Sequence, residues 1–301
     1  LSEIILRHHE LQVTILPVRG GLISSLKHRN REFLKLTDEF NPNGSGWPAG
    51  GIPFLFPVAG RSFSKGVAGR YDAFDKDWPM PIHGFSYGMP WTVKSMSERT
   101  AILTLNSSET TLSIYPWNFS IENHISIENQ VLELKSIITN LGCTERKGFP
   151  MPIAPGFHPY FATGFSQSPL ENNPDIRFNP KGVIRVNAMG GVDKQAEFPL
   201  KEKYSTDHPY FNNGIFMVDS PAMFQLEHAE WALEVVSNAA KYLVFWTKDR
   251  HTFQCIEPWL GVPDALGFSN LNHIDYGDHP FAAHLIPTND TFMFDMKVKI
   301  A

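Results

Sequence analysis

His158 sits in the run GFHPYF, among aromatic rings and directly before Pro159, which biases its backbone toward an extended form. An imidazole titrates near neutrality, so in a partly apolar cleft it can give a proton and recover it within one cycle. The alternative for this fragment is a core histidine satisfied by a carbonyl. Glu257 stands in CIEPW, with Ile256 before it and Pro258 and Trp259 after it. A carboxylate among such neighbours is costly unless it is paired or functional. Desolvation there raises its pKa, as a general base requires. A salt-bridged structural glutamate is the alternative. His83 and Arg61 belong to two other unusual segments, and Arg61 closes a long stretch with no other charge. Both suit hydrogen bonding to ligand hydroxyls, the planar guanidinium especially. Taken singly, each also fits a plain structural or solvated role.

These residues lie in four segments that do not read as ordinary strands: Gly46–Arg61 (GWPAGGIPFLFPVAGR), Pro79–Trp91 (PMPIHGFSYGMPW), Phe149–Phe161 (FPMPIAPGFHPYF) and the shorter Phe253–Trp259 (FQCIEPW). Loops so rich in rigid and bulky residues usually shape a site. The elements that must hold them show a period of two. From Phe119 to Ile127 the odd positions are mostly apolar, and Ser120, Glu122, His124 and Ser126 alternate with them. Leu132, Leu134 and Ile138 alternate with Glu133 and Lys135, and Phe292 to Ile300 alternates with Asp295, Lys297 and Lys299. Shorter alternations occur at Ala101–Leu105 and Leu233–Val236. Such strands have one wet face, as in antiparallel sheets. Turn pairs recur at Asn43-Gly44, Gly190-Gly191 and Asn213-Gly214, and no long amphipathic helix is evident. The expectation is an all-β sandwich or barrel. With no repeat and no low-complexity linker, residues 1–301 are read as one domain.

Composition narrows the function. At 42% hydrophobic and 19% charged, the chain is a packed globular protein and not a disordered one. A net charge of −5 argues against nucleic-acid or anionic-membrane partners. No segment is apolar for long enough to span a bilayer, and Leu1–Glu10 carries charges at Glu3, Arg7 and Glu10 in place of a signal-peptide core. Cys143 and Cys255 are the only cysteines, which suits a cytoplasmic protein with no disulfide framework. His273, His279 and His284 with Asp275 and Asp278 match no zinc spacing, so no metal is expected. GxxxxGK, GxGxxG and Gly-x-Ser-x-Gly motifs are all absent.

Taken in order, GGIPFLFPVAGR, PIHGF with PW shortly after, PMPIAPGFHPYF, and VFWT followed by CIEPW resemble the galactose mutarotase-like superfamily, and within it the aldose 1-epimerases. The opening GGLISSLKHRNREFLKL resembles the family's first hairpin, and Asn118 to Asn140 its middle strands. The likeness covers most of the chain and thins between about Gly164 and Tyr204. It implies a β-supersandwich, a large twisted antiparallel sandwich with a sugar cleft on one face. It matches His158 to the general acid, Glu257 to the general base, and His83 and Arg61 to sugar-binding positions. The family's sugar-binding aspartate has no secure counterpart: Asn212 and Asn213 stand nearby, with Asp207 upstream.

The implied activity is interconversion of the anomers of a free hexose, with no cofactor, by a monomer or weak dimer whose partner is the sugar itself. Glu257 takes the proton of the anomeric hydroxyl, His158 protonates the ring oxygen, and Trp259, Phe85 or Tyr160 stack on the sugar. A hexose-6-phosphate mutarotase is the rival within the family, with Lys65, Arg70 and Lys76 as the basic pocket. A noncatalytic carbohydrate-binding protein would need neither His158 nor Glu257. A glycoside hydrolase would need a second carboxylate.

Overall fold

The computed structural model describes residues 1–163, 174–196, 201, 203–205, 208–249, 251–272 and 279–301. Its framework is the three long alternating segments. Trp117–Glu128 pairs with Val131–Cys143, which pairs in turn with Thr291–Ile300, all antiparallel. On Trp117–Glu128 every second side chain is buried, including Trp117, Phe119, Ile121, Ile125 and Ile127. Burying each such large apolar side chain contributes about 1.5–3 kcal/mol. Thr92–Met96 and Thr100–Asn106 extend this sheet on one side. Trp231–Ser237, Ala222–His228, Asp175–Phe178 and Tyr204–Ser205 extend it on the other, giving nine strands. Asp295 departs from the expected wet face. It is buried, and its carboxylate accepts from the Asn238 and Ala239 backbone N–H groups at 3.0 and 3.3 Å. A buried carboxylate is tolerated when it closes a turn in this way.

An eight-stranded sheet packs against the first. Its central order is Pro180–Val186, Gly214–Val218, Tyr242–Trp246, Phe253–Trp259 and Gly156–Phe157, and Tyr160–Ala162 pairs with Phe253–Trp259 as well. Ring contacts join the two sheets: Phe157 lies 5.5 Å from Phe294, Phe161 5.8 Å from Phe224, and Phe178 5.1 Å from Phe245. The described strands pair antiparallel, parallel bridging being confined to the isolated contacts Phe56 with Gly84 and Val58 with Ala154, and the helical content of the described residues is one four-residue turn, Glu109–Leu112, and short 3-10 pieces. The expected all-β antiparallel sandwich is therefore observed. No helix among the described residues is long and apolar enough to cross a membrane.

Phe253–Trp259 is a strand and not a loop, and all seven of its residues are buried. A strand covered on both faces has no polar alternation, which hides it from pattern reading. The Phe149–Phe161 segment likewise holds short strands, Met151–Ile153 and Gly156–Phe157, with Tyr160 opening a third.

Candidate active site

The pleat of the eight-stranded sheet separates core from site. Ile256, Phe245, Leu243 and Phe216 point into the main core. Glu257, Trp259, Val244, Trp246 and Ile215 come from the same strands and line a cleft of about 900 Å³ on the other face. His158 arrives by the same logic. Phe157 enters the core, the His158 backbone N–H donates to Pro53 O at 3.0 Å, and the imidazole turns into the cleft.

The two candidates for proton transfer meet there. His158 Nε2 lies 3.2 Å from Glu257 Oε1, and Trp259 Nε1 donates to the other oxygen, Oε2, at 3.0 Å. Their exposures are 4% and 1%, so desolvation dominates both. It pushes the Glu257 carboxyl well up and the His158 imidazolium well down, and His83 lowers His158 further. Both shifts disfavour the ion pair and favour a carboxylic acid beside a neutral imidazole. His158 is packed between rings, with Tyr160 stacked at 5.0 Å and Trp47 edge-on at 5.0 Å.

His83 stands on the same cleft, 5.3 Å from His158 between ring centres. Its ring Nδ1 accepts from the Gly60 N–H at 3.1 Å, and the His83 backbone N–H donates to Gly60 O at 2.8 Å. An Nδ1 that accepts leaves the proton on Nε2, so the ring is neutral. Burial, with Arg61 adding to it, lowers its pKa to about 3. Gly84 makes this bend possible: a Cβ there would lie 2.0 Å from Phe56 O, at φ +74.

Arg61 lines the cleft from an exposed position, and its aliphatic stem passes beside Gly190. Asp264 braces its loop. The Asp264 N–H donates to Arg61 O at 2.7 Å, and its carboxylate accepts from the Phe63 N–H at 2.9 Å. Burial raises that carboxyl to about 6. All four expected residues, Arg61, His83, His158 and Glu257, therefore share one cleft.

Other expectations need correction. Phe85 is a core residue, edge-on to Phe56 at 5.9 Å, and does not line the cleft. Its motif neighbour His83 faces the site, but the chain turns inward at Gly84. Lys65, Arg70 and Lys76 do not line the cleft either; Arg70 pairs with Asp77 and Lys76 with Glu145. Asn213 lines it, whereas Asp207 lies outside the described residues. His273, Asp275 and Asp278 also lie outside them. Among the described residues, His158, Cys255 and Glu257 form the one group with metal-ligand spacing, their donor atoms within 4.8 Å of one another. Burial raises the Cys255 thiol as well as Glu257, so an ion there would have to displace protons from both. Sequence reasoning gave no role to Trp47, which stacks on His83 at 4.9 Å and donates to Tyr160 OH at 3.0 Å. Its place at the head of GWPAGG was the available signal.

An antiparallel β-sandwich with a histidine and a glutamate converging in one cleft is the arrangement that the resemblance to galactose mutarotase-like proteins implies. The aldose 1-epimerase family model matches residues 2–269, and the chain belongs to that family. Among solved structures, a galactose mutarotase-like protein from Lactobacillus casei is similar with TM-score 0.81 and 19% identity, covering 99% of this chain and 100% of that one. A galactose mutarotase related enzyme from Lactobacillus acidophilus gives 0.79 and 18%, covering 99% and 97%. A GalM/aldose epimerase homologue from C. elegans gives 0.75 and 13%, covering 99% and 98%. Likeness at these identities speaks to the fold. No curated protein sequence matches the chain significantly.

Proposed function

We propose that this protein is an aldose 1-epimerase that interconverts the α and β anomers of a free, neutral hexose by acid–base ring opening. The observation that carries the reading is the 3.2 Å approach of His158 Nε2 to Glu257 Oε1 in a buried cleft. In a cyclic hemiacetal the hydroxyl oxygen O1 and the ring oxygen are bonded to the same carbon. A base for one and an acid for the other must therefore converge on neighbouring atoms. Glu257 takes the O1 proton while His158 delivers its own to the ring oxygen, and the C1–O bond of the ring breaks. Rotation about C1–C2 presents the other carbonyl face, and reversal of both transfers closes the ring. The pair starts as carboxylate with imidazolium and passes through carboxylic acid with imidazole, so its total proton count never changes.

Burial disfavours carboxylate and imidazolium alike, so it favours the transfer that leaves carboxylic acid and neutral imidazole beside the opened sugar. A neutral His83 donating from Nε2 and a guanidinium from Arg61 suit the sugar hydroxyls. The group beside Glu257 is an imidazole and not a second carboxylate, which sets the site apart from a glycoside hydrolase. A 6-phosphate is disfavoured because Arg70 and Lys76 are spent in ion pairs away from the cleft. The test is anomer exchange followed by NMR or polarimetry over a panel of aldoses and their 6-phosphates. A 6-phosphate preferred by more than about tenfold in kcat/KM, near 1.4 kcal/mol, would overturn the choice of a neutral sugar. Absence of exchange with every aldose would overturn the activity.

A further inference from the structure

His158 stands opposite Glu257 because the register on either side requires it: Gly156 pairs with Trp259, and Tyr160 with Cys255. That register fixes where the His158 side chain leaves the backbone, but not the turn of its ring. A half-turn about Cβ–Cγ exchanges Nε2 with Cε1 and carries the proton-bearing nitrogen away from Glu257. The usual lock against this is a hydrogen bond at the second ring nitrogen. In this protein Nδ1 of His158 is buried and completes no hydrogen bond with any described residue. The backbone carbonyl of His158 itself favours a proton on the ring without closing such a bond.

Rings take over the task. Tyr160 stacks on the imidazole with 5.0 Å between centres and 18° between planes. Trp47 stands edge-on to it at 5.0 Å, and Trp246 at 6.0 Å. Tyr160 is firmly placed. Its backbone N–H donates to Gly51 O at 2.8 Å, its carbonyl accepts from the Lys35 N–H at 2.8 Å, and its ring leans on Phe253 at 5.0 Å. Trp47 has no such frame. It follows the largely exposed run Asn41–Gly46 and belongs to no strand. Its Nε1 donates to Tyr160 OH at 3.0 Å, a bond that spans 113 residues of sequence. That bond ties a loop ring to a strand ring and closes the two on His158. Packed rings restrict rotation because turning the imidazole means displacing its neighbours.

We propose that Trp47 and Tyr160 form a clasp that aims the His158 imidazole at Glu257, which makes them positioning residues for the proton transfer rather than sugar contacts. The inference rests on the mutarotase reading above and extends it to the groups that hold the acid. Trp47→Phe and Tyr160→Phe each keep a ring and remove the hydrogen bond. With the neutral aldose that the parent exchanges fastest, each should lower kcat about tenfold and leave KM within about twofold. The double variant should stay within about twofold of the slower single one, because both changes break the same bond. A raised KM with kcat intact would make the two residues sugar contacts and overturn the clasp. Parent-like kcat in either single variant, or losses that multiply in the double one, would overturn it too. A readout that needs no sugar is the nitrogen NMR spectrum of the imidazoles, with His158 assigned by its loss in His158→Gln. His158 should give one set of ring resonances in the parent. A second or broadened set is expected in Tyr160→Phe, the change that disturbs packing least, and one unchanged set there would refute the proposal. If the parent exchanges no aldose at all, the mutarotase reading falls and these spectra still decide the clasp.

Discussion

The two faces of the eight-stranded sheet share a backbone and differ in everything else. On the inner face, Phe157, Phe216, Phe245 and Ile256 close against the nine-stranded sheet. On the outer face, one residue along, His158 and Glu257 are as deeply buried but polar, beside Trp259, Trp246 and Trp47. Burial therefore does opposite work on the two sides. Inside, it removes apolar surface from water and stabilises the fold. Outside, it strips water from ionisable groups and moves their proton affinities, which costs stability and prepares chemistry.

If that division holds, substitutions on the two faces should separate cleanly. Glu257→Gln keeps the shape and an oxygen for the Trp259 N–H, but removes the base. Anomer exchange should fall about 10²–10⁴-fold with an unfolding midpoint no lower than the parent's; near-normal turnover would exclude Glu257 as the base. Phe294→Ala removes the ring stacked on Phe157 from the other side of the core and should cost about 3–5 kcal/mol in urea unfolding. Exchange per folded molecule should stay within about twofold of the parent. A large drop in turnover would show that the faces are mechanically coupled.

His83 sharpens the comparison through pH. Its folded pKa of about 3 lies below the ordinary value of 6.5, so between those limits the unfolded chain binds a proton that the folded protein refuses. Folding stability therefore rises with pH across that window and is lost as pH falls, by up to about 1.4 kcal/mol per pH unit. His83→Asn should flatten its share of the slope in unfolding titrations from pH 7 to 4, and an unchanged slope would contradict a neutral buried ring. The smallest effect is expected at exposed Arg61. Arg61→Lys should raise KM about threefold with kcat retained, since charge survives but the planar fork does not.

How legible this was in the sequence depended on water. Strands with one wet face, such as Trp117–Glu128, announced themselves by alternation and appear where expected. Phe253–Trp259 did not, because both its faces are covered. The residues around Arg61, His83, His158 and Glu257 stood out as polar groups amid Pro, Gly and aromatics, and the cleft gathers all four. Phe85 and Trp47 show the limit. Both are aromatic residues in glycine-rich segments, and only the turn at Gly84 and the packing of Trp47 on His83 decide which one faces the site. Asp264 gave no local sign, since its role is to bind the backbone of a segment about 200 residues away.

The cleft also carries its own dye. Three of the chain's seven tryptophans, Trp47, Trp246 and Trp259, line it. One indole N–H rests on Glu257 and another on Tyr160. Indole emission responds to nearby charge and to displaced water, so an arriving sugar and a shifting proton each change the protein's intrinsic fluorescence. Occupancy of the cleft is then readable in stopped flow on the unmodified, unlabelled chain.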